Sequence, residues 1–267
     1  MHRGEDAQKP AFARYVGIDY SGAATPTTSL KGLRVFLAQG DRLPTEVPPP
    51  PSPRKYWTRR GIAGWLGAAL TEETPTMVGI DHGFSFPLAY FEKYRLAHNW
   101  PVFLDDFVQH WPTDEEIYVD FVRCGTVGAG AARQGDAHWK RLSEKQVGAK
   151  SVFQFDVQGS VAKSTHAGIP WLRALRLQLG PRAHFWPFDG WQIPPGRSAI
   201  AEVYPRLWSG CFDRANRTPD QHDAYSAAAW LSEADRDGRL AACLTPDLTA
   251  EEHAAAPIEG WILGVTT

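Results

Sequence analysis

Two short runs constrain this chain more than any other feature: Tyr15-Val16-Gly17-Ile18-Asp19 and Met77-Val78-Gly79-Ile80-Asp81. Each is an uninterrupted apolar stretch that stops on a carboxylate. A strand without polar alternation is buried on both faces, so it needs a layer of structure above and below it. Between the two runs, Leu33, Val35 and Leu37 alternate with Arg34, Phe36 and Ala38. That period belongs to a strand, and its spacing from the first run predicts an antiparallel hairpin. Strands that begin as a hairpin and then alternate with helical segments specify a mixed sheet between helices, in one α/β domain.

The remaining elements follow from period and punctuation. Leu43 to Val47 reads as a short third strand, ahead of the stiff Pro48-Pro49-Pro50-Pro51 connector. Ile62, Trp65, Leu66 and Ala69 predict a helix from about Thr58 to Leu70. Pro87 opens a helical stretch with Leu88 and Phe91 on one face, and Phe103, Phe107 and Trp111 mark a second helix. Thr113-Asp114-Glu115-Glu116 has the form of a capping box for a third, with Ile117 and Phe121 inward. Gly125 to Lys150 is Gly-rich, basic and aperiodic, a surface segment. Val152 to Val157 reads as a strand, and a helix begins near Pro170. His184 to Ile193, turning at Asp189-Gly190, reads as a hairpin with a type I′ turn. Ser198 to Tyr204 is a further strand, Thr218-Pro219-Asp220-Gln221 caps another helix, and Trp261 to Val265 closes as an edge strand.

At 267 residues, with 43% hydrophobic and 22% charged positions, the whole chain (1–267) fits one globular domain with a mainly helical insertion at about 87–150. A net charge of -2 gives no bulk attraction to nucleic acid, so such a role must rest on local patches. The three cysteines, at 124, 211 and 243, are too scattered for a zinc ribbon or redox pair and read as reduced thiols. No run approaches the roughly 20 apolar residues that span a bilayer, and the first fifteen residues lack an apolar signal core. A cytoplasmic protein without membrane contact is the expectation.

The placement of the acids carries the functional argument. Asp19 and Asp81 end strands, where α/β sheets open onto a ligand crevice. Glu202 lies in a strand otherwise made of Ala, Val, Ile and Tyr. Asp220 and Asp223, three apart, share a face of a first helical turn. Taken singly, each has a plain reading: turn chemistry for a strand-end Asp, dipole stabilisation for Asp220, a surface position for Glu202. Together they would repel unless a cation neutralised them, and oxygen ligands without His or Cys favour Mg²⁺ or Mn²⁺. Two such ions roughly 3.5–4 Å apart would serve phosphodiester hydrolysis. His222, beside Asp223, is a candidate proton carrier or a plain helix-turn histidine, and His82 has similar standing. Arg133, Lys140, Arg141 and Lys150, with Arg54, Lys55, Arg59 and Arg60 near the Pro run, are candidate phosphate contacts or simply a solvated face. Trp57 and Trp139 among them are candidates for base stacking. Gly125-x-x-Gly128-x-Gly130 follows a helix and fits neither dinucleotide nor Walker loop, and no G-x-S-x-G or H-E-x-x-H is present.

The runs VGIDYSGA, VGIDHGFSFP, KSVFQFDVQGSV with GIPWLRAL, AEVYPRLW, and DQHDAYSAAAWL with EGWILG resemble a family of predicted RNase H-like nucleases, over nearly the whole chain. DQHDAYSAAAW is also similar to the final helix of Holliday-junction resolvases, where two acids three apart complete a metal site. The resemblance implies a ribonuclease H-like fold, a mixed five-stranded sheet flanked by helices, carboxylate-bound divalent metals and hydrolysis of DNA or RNA. It implies Asp19 as the bridging ligand, Asp81 and Glu202 flanking it, and Asp223 with Asp220 completing the site. His82-Gly83 departs from the family's turn after the second acid, which bears on substrate access. Two rivals stand beside this reading. Sugar-kinase and actin-like phosphotransferases also begin with strand, Asp and Gly-bearing turn, as VGIDYSGAATPTT does, but they pair two such domains. A non-catalytic nucleic-acid-binding module is the other.

Overall fold

A computed structural model of the chain describes residues 10–51 and 53–266. Its strands are β1 (Arg14–Asp19), β2 (Arg34–Gln39), β3 (Thr45–Glu46), β4 (Thr76–Asp81), β5 (Ala183–Phe185) and β6 (Ser198–Glu202). They form one mixed sheet in the order β3-β2-β1-β4-β6-β5. The hairpin is antiparallel; β1, β4, β6 and β5 run parallel. The sheet has six strands where five are expected, because Ala183–Phe185 joins β6 as a parallel edge instead of forming a hairpin. At the expected hairpin turn, Asp189 folds back on Phe185: its N–H donates to the Phe185 carbonyl and its carboxylate accepts the Phe185 N–H, at 2.9 and 2.8 Å.

The helices are α1 (Arg59–Ala69), α2 (Leu88–Tyr94), α3 (Trp100–His110), α4 (Val119–Arg123), α5 (Leu142–Gln146), α6 (Ala162–Leu179), α7 (Pro219–Arg236), α8 (Arg239–Leu244) and α9 (Ala250–Glu259). Period 2 sorts the strands' side chains. Val16, Ile18, Val78, Ile80 and Ile200 point to one face and pack with Leu172 and Leu175 of α6 and Ile62 and Leu66 of α1. Gly17, Gly79, Ala199 and Ala201 point to the other face, which α7 covers. Gly17 and Gly79 are register partners. A Cβ at Gly17 would stand 2.2 Å from the Ala224 carbonyl oxygen and 2.6 Å from the Ala228 nitrogen. Ala224, Ala227 and Ala228 complete the close approach, so α7 lies directly on β1.

Two expectations fail for one shared reason. The helix expected near Pro170 begins at Ala162 and runs through that proline. A proline inside a helix leaves the carbonyl four residues back without its N–H donor. That carbonyl belongs to His166, and the hydroxyl of buried Thr113 donates to it at 2.5 Å. Thr113 is therefore occupied with α6 and caps nothing. The third helix starts at Val119, with Val119 and Val122 inward and Phe121 49% exposed. The expected strand at 152–157 is a run of turns that buries Phe153 against Phe86 and Tyr90. Trp261 to Val265 forms no strand; it is a buried plug whose Leu263 N–H donates to the Glu202 carbonyl at 2.9 Å. No helix among the described residues is long and apolar enough to cross a membrane.

Candidate functional site

Asp19 and Asp81 are register partners on adjacent parallel strands, side by side across a strand spacing of about 4.8 Å. Two residues on from Gly17 and Gly79, both point to the α7 face. The first turn of α7 comes to meet them. Thr218 caps it by accepting the Gln221 N–H, while the Gln221 side chain accepts the Thr218 N–H. Asp220 and Asp223 project from this turn, and a Cβ on Gly32 would lie 3.8 Å from an Asp220 carboxylate oxygen and 3.5 Å from Ser21, just after β1.

The carboxylates feel one another. Burial, then Asp81, Asp220 and Asp223, push the Asp19 carboxyl well above its ordinary range, against a backbone hydrogen bond from Tyr20. Burial, then Asp223 and Glu202, raise Asp81. Asp223 is raised by burial and by Asp220, with His222 and Arg214 opposing. Arg34 is the register partner of Asp19 on β2, yet its guanidinium goes to Glu46 at 2.9 Å and over the Tyr56 ring. The other Glu46 oxygen accepts the Gln221 side-chain amide at 2.7 Å, tying the α7 turn to β3.

Glu202 is placed differently. Its register partner is Ile80, so its side chain points away from α7. There the Arg141 guanidinium grips both carboxylate oxygens at 2.6 Å each, and the Phe84 N–H donates at 3.1 Å. Arg141 also bonds Glu144 through Nε at 3.0 Å, and its backbone N–H bonds the second Glu144 oxygen at 3.0 Å. Burial alone would lower the Arg141 pKa; Glu202 and Glu144 reverse that and raise it. With 1% of its surface exposed, Arg141 is a core residue, which corrects the expectation that it meets substrate phosphates.

The other sequence candidates are scattered. Arg133 pairs with Asp106 at 2.8 Å and lies over Tyr94. Lys140 lines a groove with Pro87, Leu142 and Glu259. Lys150 lines a narrow cleft with Asp81 and Glu202, its ammonium donating to the Gln158 carbonyl. Arg59 is fully buried and donates to the carbonyls of Ser21, Ala23 and Ala24, shaping the turn after β1; it is not a phosphate contact. Arg60 reaches Glu116 at 3.5 Å. Trp57 is buried, its indole N–H on the Val47 carbonyl, and offers no stacking face. His222 is buried with Nε2 on the Ser209 carbonyl at 3.0 Å. His82 packs between Tyr20 and Gly168, and burial lowers its pKa to about 4, which keeps it neutral.

Glu144 and Glu259 escaped the sequence reading. Glu259 accepts the Leu88 and Leu142 N–H groups at 2.6 and 2.9 Å, and so holds the starts of α2 and α5. The Arg141-x-x-Glu144 spacing was the available signal for the first, hidden in an aperiodic stretch.

The donors on the α7 face are all carboxylate oxygens, which suits a hard divalent ion. Among the described residues, no group of three or more His, Cys, Asp or Glu side chains is arranged to hold a metal ion. The backbone register sets Asp19 beside Asp81. Comparison with protein-family models, curated proteins and solved structures returns no match for this chain.

Proposed function

We propose that this chain is a divalent-cation-dependent nuclease of ribonuclease H-like fold, hydrolysing phosphodiester bonds in nucleic acid with Mg²⁺ or Mn²⁺, two ions by preference. The observation that carries the reading is the side-by-side register of Asp19 and Asp81 under an α7 turn bearing Asp220 and Asp223. When bound, such ions would activate a water and stabilise the departing 3′-oxygen. Asp19, with Asp81 on one side and the α7 aspartates above, is the residue best placed to bridge. Gly17 and the α7 alanines hold the two halves of the set together. His222, occupied by Ser209, is assigned to supporting the α7 turn, and Lys150, beside Asp81, to the incoming phosphate backbone.

The turn after β1 argues against the phosphotransferase alternative. It directs three carbonyls onto Arg59, whereas a phosphate cradle needs N–H donors directed inward. The test is incubation of labelled single- and double-stranded DNA and RNA with protein and Mn²⁺, with ATP assayed in parallel. We expect strand cleavage that Asp19→Asn lowers by roughly a hundredfold or more. ATP turnover without cleavage would instead support the phosphotransferase, and binding without cleavage the non-catalytic module.

A further inference from the structure

Glu202 ends a central strand beside Asp81, so its place in the sequence marks it as a companion of the aspartates. Its surroundings assign it another task. The one-residue offset in register, Glu202 against Ile80, turns it to the face opposite α7. Both its oxygens are held by one guanidinium, and a third donor, the Phe84 N–H, takes a further lone pair. A dication in contact with Glu202 would sit against a permanent positive charge. Arg141 cannot swing aside, because Glu144 holds its Nε and its backbone, and only 1% of it is exposed. On the α7 face, by contrast, no salt bridge reaches Asp19, Asp81, Asp220 or Asp223 among the described residues.

We infer that Glu202 lies outside the cation set and is the anchor through which Arg141 fixes α5, and with it the segment between β4 and α6, against the flank of Asp81. The acids that remain as candidates for the cation are then the four aspartates. Glu202 and Arg141 are positioning residues: they hold a wall of the cleft and contact neither ion nor water. This inference rests on the cation reading of the aspartates. It predicts that two neighbouring acids, Asp81 and Glu202, respond in opposite ways to the same neutral substitution.

The test is calorimetric titration of Mn²⁺ into the full chain and into Asp19→Asn, Glu202→Gln and the double variant Glu202→Gln/Arg141→Met, with thermal melts of each. Asp19→Asn should weaken Mn²⁺ binding at least about tenfold. Glu202→Gln should leave the affinity within about threefold of wild type while lowering the melting midpoint by roughly 10 °C, because a buried cation loses its main partner. The double variant, which removes the cation as well, should recover part of that midpoint at unchanged Mn²⁺ affinity, and it supplies a folded background if the single variant unfolds. A folded Glu202 variant that loses Mn²⁺ as Asp19→Asn does would overturn the inference while leaving the cation reading intact. An unshifted midpoint in Glu202→Gln would refute the anchor. Wild-type protein that takes up no Mn²⁺ would remove the cation reading and this inference together.

Discussion

Asp81 and Glu202 stand at the ends of neighbouring parallel strands, and one residue of register sends them to opposite sides of the sheet. Glu202 meets a buried guanidinium that satisfies it. Asp81 lies on the aspartate side, where burial first, then the charges of Asp223 and of Glu202 itself, raise its pKa. A fold pairs its buried acids when they serve structure. Carboxylates brought together without a salt bridge either hold protons, as the raised pKa values show, or, under the proposed reading, share a cation.

The largest expected effect breaks the balanced side. Arg141→Met leaves Glu202 and Glu144 buried without their cation and should cost about 3–5 kcal/mol in denaturant unfolding. An unchanged midpoint would show that the pair is not structural. Next comes the hinge between the two halves of the acidic side. Gly17→Ala forces a methyl into the α7 backbone, at an expected cost of about 3 kcal/mol, and shifts Asp220 and Asp223 away from Asp19, so Mn²⁺ affinity should fall with it. Stability lost without loss of Mn²⁺ affinity would show that the site does not depend on α7 docking. Mn²⁺ itself should stabilise the wild type by about 2.7 kcal/mol at a hundredfold excess over Kd, read as a rise in melting midpoint that Asp19→Asn cuts to about half or less.

The smallest effect is on pH dependence. Asp19, Asp81 and Asp223 have raised folded-state pKa values, so they hold protons more tightly folded than unfolded. Their contribution to stability is complete below the ordinary carboxylate range, about pH 4, and is lost as pH rises through the raised values. Burial raises Glu144 and Glu259 as well, which adds to the same trend. The difference between wild type and Asp19→Asn isolates the aspartates' share. In chelator at neutral pH, Asp19→Asn should melt a few degrees higher than wild type, and the two curves should converge in acid. A lower-melting variant would mean that Asp19 has a compensating partner.

The strands that hold Asp19 and Asp81 were legible because apolar runs ending in acid have few other readings, and the α7 start because its capping box and proline state it outright. Which face each acid points to was not, since it depends on register between strands far apart in sequence. Arg141 read as a surface cation because its partner lies 61 residues on, and nothing near it in sequence is periodic. Thr113 and Pro170 each gave a false helix boundary because the hydrogen bond that reconciles them is long-range. Local chemistry wrote the elements, and tertiary pairing decided which charges were left for function.

The most direct test of the central claim is anomalous diffraction at the manganese edge from crystals soaked in Mn²⁺. The expected result is a peak between Asp19, Asp81 and the first turn of α7, with Glu202 still on Arg141. A peak elsewhere, or none at a concentration that saturates binding, would contradict it.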